Sequence, residues 1–411
     1  MSIFVYIVLI SELLFAAFLL KNARLCSDKR SALLCVLLLC AAFALRAALF
    51  SHETNDYKDF LLPWVEFFRA NGGIAGLGKA VGNYNPPYLY FLALFSYFDA
   101  APLFPIKLLS VFFDVVLAWA VMRLVSLMDK SAATLRAAFF TVLFLPTVVL
   151  NGAYWGQCDS IYAAFAVLSL YYGLAGSPTK SMLCITASFA FKLQAVFIMP
   201  VYVILLLAGK LRLRHALIFP AAYIIYLLPP VLCGRSFFDV MTVYFVQANT
   251  VGDALNYNSP SVFSIIGYYL EAEPWSSLAV CAAFAAMLLI FVWAFIVRSR
   301  LSDRLILGFA VLIVIVIPYL LPHMHDRYFF LADVLTAALA FTVPSFFALP
   351  VLAQGASLLS YYAYLTWSYL VHPRIGGELM LAALLLSVYC VCRILKAEGQ
   401  CALDAEHFPV Q

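Results

Sequence analysis

Apolar stretches long enough to cross a lipid bilayer recur along the whole chain, and they limit its fold more than any other feature. Of its 411 residues, 65% are hydrophobic and 11% are charged, and the mean hydropathy is +0.98. Inside a bilayer only α-helices and closed β-barrels satisfy their own backbone hydrogen bonds. A barrel would show short alternating segments instead of apolar runs of about 20 residues. The sequence therefore predicts an all-α polytopic membrane protein, with a single integral-membrane domain over residues 1–411.

We predict about 11 to 13 transmembrane helices from these stretches. The first stretch, Met1–Leu20, lacks a basic start and a small-residue cleavage site, so we interpret it as a retained span and not as a cleaved signal. Glu12 within it should face other protein or a water-filled cavity. The candidate spans are 2–20, 32–50, 87–98, 105–127, 137–151, 158–175, 181–208, 216–232, 276–297, 304–321, 329–345, 348–370 and 377–395.

Basic residues concentrate in three loops between the candidate spans, and these loops predict the orientation. Loops rich in Lys and Arg remain cytoplasmic in membrane proteins. The loops 51–86, 234–261 and 321–328 are then expected to face outward. The three basic loops are 21–30, 210–214 and 298–304.

The short apolar segment 87–98 leaves two topologies open. If it crosses the membrane fully, the basic loop 129–136 lies outside, against the positive-inside rule, and Gly152–Asp159 lies inside. If it only dips into the membrane, Gly152–Asp159 lies outside, and 181–208 must contain two short helices to keep the following basic loop inside. We favour the second topology because the polar residues within 181–208 suit a broken helix that lines a cavity.

Two other kinds of site find no support in the composition. The net charge of +4 is not concentrated in a basic patch, so we expect no nucleic-acid partner. The ten cysteines are scattered and lie mostly within candidate spans. Cys390 and Cys392 have no matching second pair, so the sequence indicates neither a zinc site nor a disulfide framework.

The segment Ser51–Tyr90 is the only long stretch of the chain that is dense in polar groups. Its middle part, Tyr57–Asn71, is predicted to form an amphipathic helix that lies on the membrane surface, because apolar residues share one face at helical spacing. Asn71-Gly72-Gly73 would end this helix. The predicted apolar face consists of Phe60, Leu61, Trp64, Phe67 and Phe68.

Three carboxylates, Glu53, Asp56 and Asp59, stand at the start of this segment. Asp56 lies just beyond the second candidate span, where the membrane surface meets water. A carboxylate at that place can act as a general base on a hydroxyl group or can bind a divalent metal. Alternatively, Asn55 or Asp56 caps the surface helix through its side chain.

Two further polar segments, Asn83–Tyr90 and Gly152–Asp159, follow at span boundaries. In the first, paired prolines favour an extended entry to the next helix, and Asn and Tyr side chains add hydrogen-bonding groups. In the second, an amide, a carboxylate and two aromatic rings are typical of sugar binding. The structural alternatives are a helix start with interfacial aromatic residues and a loop in which Asp159 is a helix cap.

Lys192 and Gln194 place a charge and an amide inside an apolar run. A lysine buried in a membrane protein is costly unless it is paired. We therefore expect a phosphate or a carboxylate as its partner.

The segment Pro322–Tyr328 brings two histidines, Asp326 and Arg327 to another span boundary. Arginine is well suited to phosphate or lipid headgroups. The His323-x-His325 pattern with Asp326 also suits a metal, although no further ligand is evident, and a structural role is the third alternative. Under the favoured topology all these polar segments lie near one side of the membrane, where they would form one site for a lipid-linked phosphate.

The order and spacing of five motifs resemble those of bacterial integral-membrane mannosyltransferase-like proteins. These proteins are related to the glycosylphosphatidylinositol mannosyltransferases and belong to the GT-C glycosyltransferase superfamily. The resemblance covers roughly residues 50–335. The motifs are Asn55-Asp56-Tyr57 with Pro63-Trp64, Asn85-Pro86-Pro87-Tyr88-Leu89-Tyr90, Trp155-Gly156-Gln157 with Asp159-Ser160, Phe191-Lys192-Leu193-Gln194-Ala195, and Met324-His325-Asp326-Arg327-Tyr328-Phe329.

The resemblance implies a GT-C-like fold and an enzyme that transfers a hexose, with mannose favoured, from a polyprenyl-phosphate donor to a lipid or glycan acceptor. It also implies a bacterial plasma membrane, with the active site facing outward and membrane lipids around it. Asp56 would be the catalytic base of an inverting reaction, with Asp59 and Glu53 in reserve. No cofactor is firmly implied, and a divalent metal stays open.

The same resemblance implies roles for the remaining polar residues. Arg327, His325 and Lys192 would stabilise the charge of the departing phosphate. The sugar or the acceptor would be held by Tyr84, Asn85, Tyr88, Gln157, Asp159 and Gln194.

A membrane transporter or flippase of a lipid-linked or polar solute is the alternative function. Many transporters show an internal repeat with paired broken helices, and we find no clear repeat in this chain. A polysaccharide polymerase or ligase is the third class considered, and it would favour a large, Arg-rich late external loop that this sequence lacks.

Overall fold

A computed structural model describes residues 3–248, 252–267 and 272–407. Most of the described backbone is helical, as the apolar composition predicts. Short 3₁₀ or π-helical segments lie at Tyr57–Leu61, Gly73–Gly78, Leu150–Trp155, Leu193–Phe197, Leu213–Leu217, Arg298–Arg300 and Pro344–Phe346. The α-helices are α1 (Ile3–Asn22), α2 (Lys29–Leu49), α3 (Leu62–Ala70), α4 (Pro86–Phe95), α5 (Leu103–Val125), α6 (Ala132–Phe144), α7 (Pro146–Val149), α8 (Asp159–Leu174), α9 (Pro178–Phe191), α10 (Val201–Leu207), α11 (Ile218–Leu232), α12 (Phe237–Met241), α13 (Val243–Ala248), α14 (Phe263–Ile266), α15 (Ala272–Ile296), α16 (Asp303–Leu320), α17 (Phe330–Thr342), α18 (Ala348–Thr366) and α19 (Pro373–His407).

Eight helices in the described ranges are long and apolar enough to cross a membrane, and a ninth span is possible if α6 and the segment Pro146–Trp155, which meet at 46°, count as one. This confirms an all-α, multi-pass membrane protein. The predicted total of 11 to 13 crossings stays a prediction. The eight helical segments are Ile3–Asn22, Lys29–Leu49, Leu103–Val125, Leu213–Leu232, Ala272–Ile296, Asp303–Leu320, Pro344–Thr366 and Pro373–Glu398.

The interior of the bundle is built around α5, α8, α16 and α17, whose side chains are mostly buried. The outer helices α1, α2 and α15 bury about a quarter of their most apolar stretch and expose large side chains such as Phe18, Leu37 and Phe284. Exposed leucine and phenylalanine on such helices fit a lipid environment, where apolar surface needs no protein cover. The polar residues of the interior therefore have to be paired inside the bundle.

The segment 87–98 and the region 181–208 both have the features of the second topology. Helix α4 has 10 residues, which is about 15 Å of helix and half of a hydrocarbon core of roughly 30 Å. The region 181–208 is divided, because Lys192 leaves the helix with an extended backbone between α9 and the 3₁₀ segment Leu193–Phe197. Gly152–Asp159 lies at the same end of the bundle as Asp56, because both Trp155 and Gln157 donate hydrogen bonds to that carboxylate.

The basic loops lie at the opposite end of the bundle from Asp56. Arg136 donates a hydrogen bond to the Leu25 carbonyl (3.0 Å), which joins the first basic loop to the start of α6. Lys210 donates to the Leu174 carbonyl (3.1 Å) and forms an ion pair with Asp303 (2.8 Å). One end therefore carries the basic loops, while the orientation of that end in a cell stays a prediction.

The predicted surface helix is present, but most of its apolar face packs on protein. The chain forms a π-type turn at Tyr57–Leu61 and then α3, which ends at Asn71 and is followed by Gly72 at φ +77°, as predicted. Leu61, Trp64 and Phe68 are buried against α4 and the segment after α3, and of the predicted face only Phe60 is largely exposed, at 49%. Most of the apolar face that was expected to contact lipid is therefore buried against other parts of the protein.

The second predicted outward loop, 234–261, contains α12, α13 and a short strand, and its residues 249–251 lie outside the described ranges. That strand, β1 (Asn256–Tyr257), pairs in parallel with β2 (Met324–His325). The pairing joins this loop to the segment after α16. It brings the second loop over the part of the molecule where the polar residues meet.

Candidate active site

A cavity of about 270 Å³ opens at the end of the bundle that carries Asp56. We call it the Asp56 cavity. Most of the residues predicted for the site line its wall, although they come from five separate parts of the chain. These residues are Asp56, Tyr84, Asn85, Gln157, Lys192, Gln194, His325 and Arg327.

The carboxylate of Asp56 is fixed in this cavity by three side-chain hydrogen bonds. Its Oδ2 accepts hydrogen bonds from Trp155 Nε1 (2.9 Å) and Gln157 Nε2 (2.5 Å), and its Oδ1 accepts one from the Tyr364 hydroxyl. The side chain is 15% exposed and makes no capping hydrogen bond. Asp56 therefore faces the cavity, and the helix-cap alternative does not describe its side chain.

Lys107 on α5 holds the backbone that leads to Asp56. It is fully buried, and its Nζ donates hydrogen bonds to the carbonyls of Leu49 (3.1 Å) and His52 (2.6 Å). The carbonyls at the end of a helix have no partner within the helix and attract a cation. Lys107 thus satisfies the end of α2 and the first turn of the loop with one ammonium group.

A second residue of α5 holds the opposite loop. Ser110, one turn after Lys107, donates to the Gln157 carbonyl (2.7 Å), and Thr54 of the Asp56 loop donates to the Trp155 carbonyl (3.0 Å). Gly156 between the two donors to Asp56 has φ +80°, where a side chain would be strained. The two loops are thus tied both to α5 and to each other.

Arg327 supplies a cation at the cavity wall. Its guanidinium lies 4.8 Å from the centre of the Trp155 ring, and its Nη2 is 3.8 Å from Asp56 Oδ2. Its Nε is 3.5 Å from Asp326 Oδ1. Among the described residues, Nη1 is buried without a hydrogen-bond partner. A guanidinium with an unused donor suits a bidentate anion such as phosphate.

The two residues before Arg327 are less charged than their types suggest. Burial raises the pKa of Asp326 to about 7, although the nearby Arg327 opposes this shift. Burial and then the charge of Arg327 lower the pKa of His325 to about 4. His325 is therefore neutral near pH 7, so it offers a hydrogen bond to a phosphate but not the positive charge expected of it.

Lys192 reaches the cavity, but its charge already has a partner. It forms a buried ion pair with Asp159, whose Oδ2 also accepts a hydrogen bond from Asn151 (2.6 Å). Lys192 also lies over the Tyr84 ring, 5.7 Å from its centre. The expected anionic partner of Lys192 is thus a carboxylate of the chain, and Asp159 itself lies behind the cavity wall.

The predicted sugar-binding residues divide into wall and support. Tyr84 donates to Gln157 (3.4 Å), and Gln194 has a buried Oε1 with no hydrogen-bond partner in the described part of the chain. Asn85 lines the cavity and donates to the Ala190 carbonyl (2.7 Å), which ties α4 to α9. Tyr88 is buried behind Tyr84, at 5.4 Å between ring centres, and does not line the cavity.

The reserve carboxylates lie outside the cavity. Glu53 and Asp59 are both exposed, and Glu53 lies 3.6 Å from Lys58. Of the three carboxylates at the start of the segment, only Asp56 lines the Asp56 cavity. Within residues 3–248, 252–267 and 272–407, no group of three or more His, Cys, Asp and Glu side chains could hold a metal ion.

Sequence reasoning missed Tyr364 and the structural role of Trp155 beneath Arg327. Tyr364 ends a run of aromatic residues in α18 that looks like an ordinary interfacial belt. It is 308 positions from Asp56, and no local pattern links the two. Trp155 belonged to a recognised motif, but its indole contacts both Asp56 and Arg327 only in the folded chain.

No protein-family model matches this chain, and no curated protein matches it in sequence. The family resemblance therefore stays a prediction. The site itself combines a carboxylate, an adjacent guanidinium and several amide and hydroxyl groups in a partly apolar cavity at one end of a membrane bundle. Such a set can bind a phosphate and accept a proton from a hydroxyl group.

Proposed function

We propose that this protein is a glycosyltransferase that moves a hexose from a polyprenyl-phosphate donor to an extracytoplasmic acceptor. The observation that carries the proposal is the meeting of Asp56 and Arg327 in one cavity, with 3.8 Å between Oδ2 and Nη2. In such a transfer the acceptor hydroxyl loses a proton and the departing phosphate gains negative charge. A base and an anion-binding cation within one cavity can serve these two groups.

In the proposed reaction, the acceptor hydroxyl attacks the anomeric carbon as its proton passes to Asp56. A bond forms between the acceptor oxygen and the anomeric carbon. The bond between that carbon and the phosphate oxygen breaks, with inversion, and the lipid phosphate departs with the electron pair. Arg327 stabilises the charge that develops on the phosphate, and neutral His325 donates a hydrogen bond to it.

The walls of the cavity support a substrate with a lipid part. Beside its polar groups lie Phe60, Leu61, Phe191 and Leu193. Phe60 is largely exposed at the same end of the bundle. A polar headgroup can thus enter the cavity while its chain stays against apolar surface. The donor sugar rests on the resemblance, which favours mannose.

The remaining polar residues hold the sugar or support the wall. Tyr84, Asn85, Gln157 and Gln194 provide hydroxyl and amide groups inside the cavity, whereas Asp159 acts through Lys192. We place the site on the outer face of a bacterial plasma membrane, as the basic loops and the resemblance imply.

The test is transfer by the purified protein in lipid discs from synthetic polyprenyl-phosphate mannose, glucose or arabinose. Asp56→Asn should reduce the rate by at least about 100-fold, the usual contribution of a positioned base. Asp99→Asn, an exposed carboxylate outside the cavity, is the control.

Three results would count against this proposal. Full activity of Asp56→Asn would show that Asp56 is not the base. Loss of activity in Asp59→Asn or Glu53→Gln instead would assign that role to a reserve carboxylate. Solute uptake into vesicles without transfer from any of the three donors would favour the transporter alternative.

A further inference from the structure

Three aromatic rings form a row from the protein interior to the surface, and the middle ring, Tyr364, lines the Asp56 cavity. Trp155 is fully buried, and Tyr364 stacks on it with 4.5 Å between ring centres. Trp367 follows at 6.3 Å from Tyr364 and is 78% exposed. The row therefore ends in an unusually open indole ring next to the proposed active site.

The backbone of Trp367 is unusual for a residue of this size. It has φ 54° and ψ 28° at the end of α18, a left-handed position that helices usually give to glycine. A bulky residue is strained in this conformation. The neighbouring hydroxyls of Thr366 and Ser368 are hydrogen-bonded (2.9 Å) across the turn. The chain thus holds a large, exposed ring at a position where the backbone of glycine would be less strained.

A second cavity, of about 250 Å³, lies beside the same turn. We call it the Tyr369 pocket. Its polar lining includes Asp253, Asn256, Asn258 and Tyr369, and the Tyr369 hydroxyl donates to Asn258 Oδ1 (2.7 Å). Asp253 is the one charged residue in the lining that the structure describes. The pocket therefore offers polar groups to a ligand without negative charge.

The Tyr369 pocket adjoins the Asp56 cavity through one thin layer of chain. Asn256 and Asn258 on one side of that layer flank Tyr257, whose ring stacks on His325 with 4.6 Å between centres. His325 lines the Asp56 cavity, and the β1–β2 pairing fixes the two segments together. An elongated ligand with one end in the Asp56 cavity would pass close to the Tyr369 pocket.

We propose that Trp367 and the Tyr369 pocket bind sugar units of a neutral oligosaccharide acceptor. A sugar ring has an apolar C–H face that packs on an exposed aromatic ring, and its hydroxyls bond to carboxylates and amides. The proposal deepens the proposed function and rests on it, because it places further units of the acceptor beyond the one that reacts at Asp56. Interfacial anchoring of Trp367 in the headgroup layer is the competing explanation.

Trp367→Gly removes the stacking surface without disturbing the fold, because glycine suits the left-handed backbone at this position. Binding of linear trisaccharides of mannose, glucose and N-acetylglucosamine to the full chain in lipid discs is measured by saturation-transfer NMR. We expect at least one of them to bind, and Trp367→Gly to weaken it roughly tenfold, as expected when one stacking contact is lost. Trp367→Phe should retain most binding.

Trp275→Ala is the matched control, since Trp275 is 38% exposed and lines neither cavity. The inference is overturned if none of the three trisaccharides binds the wild type, or if Trp367→Gly binds as tightly as the wild type. A lower melting temperature in lipid with unchanged binding would identify Trp367 as a membrane anchor. Binding without transfer from any lipid-phosphate donor would instead contradict the proposed function and leave the glycan site in place.

Discussion

At the scale of single residues, the site depends on which charges are already compensated. Lys192 is neutralised by Asp159, and His325 is neutral near pH 7, so neither matches the role of a free cation. Arg327 retains a buried donor without a partner in the described chain. Of the three residues predicted to stabilise a phosphate, Arg327 is therefore the one that best keeps this predicted role.

Arg327→Gln should lower kcat/KM for the lipid-phosphate donor by about 100-fold or more, because a preorganised charge on the leaving group is lost. Arg327→Lys should be intermediate, since an ammonium keeps the charge but not the planar fork or its stacking on Trp155. Steady-state kinetics with varied donor measure both. Wild-type kinetics in Arg327→Gln would show that the phosphate binds elsewhere.

The pKa of Asp326 predicts how donor binding changes with pH. Because its pKa is raised to about 7, Asp326 is neutral below that pH and ionises as the pH rises through it. The new negative charge lies 3.5 Å from Arg327 and competes with the donor phosphate. The donor KM should therefore rise from the acid to the alkaline side of pH 7.

Stability should also change over the range from about pH 4 to pH 8: the fold loses stability between the ordinary pKa of 3.8 and the raised pKa of about 7, where only the unfolded state is ionised, and stays level above 7. Asp326→Asn should flatten both profiles. Donor KM and melting temperature, each measured across this pH range, test the two effects. An unchanged slope in Asp326→Asn would assign the titration to another group.

At the scale of elements, α5 organises the site although none of the predicted site residues lies on it. Lys107 holds the end of α2, and Ser110 holds the loop that carries Gln157. One turn further, Asp114 forms a buried ion pair with Arg46 of α2 (2.9 Å). This one helix face therefore sets the position of Asp56 relative to its hydrogen-bond donors.

Lys107→Met should lower kcat and leave the donor KM nearly unchanged, because it releases Asp56 without touching Arg327. The carbonyls of Leu49 and His52 lose a buried partner, which also costs stability, about 1–3 kcal/mol for each unsatisfied group. The exposed Lys58 in the same loop, as Lys58→Met, is the control, since exposed ion pairs contribute little. If kcat is unchanged in Lys107→Met, α5 supports the fold alone.

At the scale of the whole molecule, the polar segments of the site lie at one end of the helical bundle and the basic loops lie at the other. The positive-inside rule then predicts that the Asp56 end faces outward. In intact cells a membrane-impermeant maleimide should label Asp59→Cys, whereas Arg300→Cys should react only after permeabilisation. Both positions are exposed. The opposite labelling pattern would show that the Asp56 end faces the cytoplasm.

The predictable part of the fold follows from local properties. Membrane-spanning apolar runs, the end of α3 at Asn71-Gly72 and the break at Lys192 are all visible in the sequence, because composition, glycine and a buried charge act on their own neighbourhood. The apolar face of α3 was less predictable. Periodicity shows that one side is apolar, but it does not distinguish lipid from the protein that covers Leu61 and Phe68.

The amino-acid sequence alone determined that this is a helical membrane protein, and it located the segments that carry charge. Only the tertiary structure decided which carboxylate faces the cavity, which cation keeps a hydrogen-bond donor without a partner in the described chain, and that Tyr364 completes the hydrogen bonds of Asp56. The physical reason is distance along the chain. Insertion into a membrane depends on the apolar content of about 20 neighbouring residues, whereas the charge state and partners of a buried group depend on contacts between segments that only the packed bundle brings together.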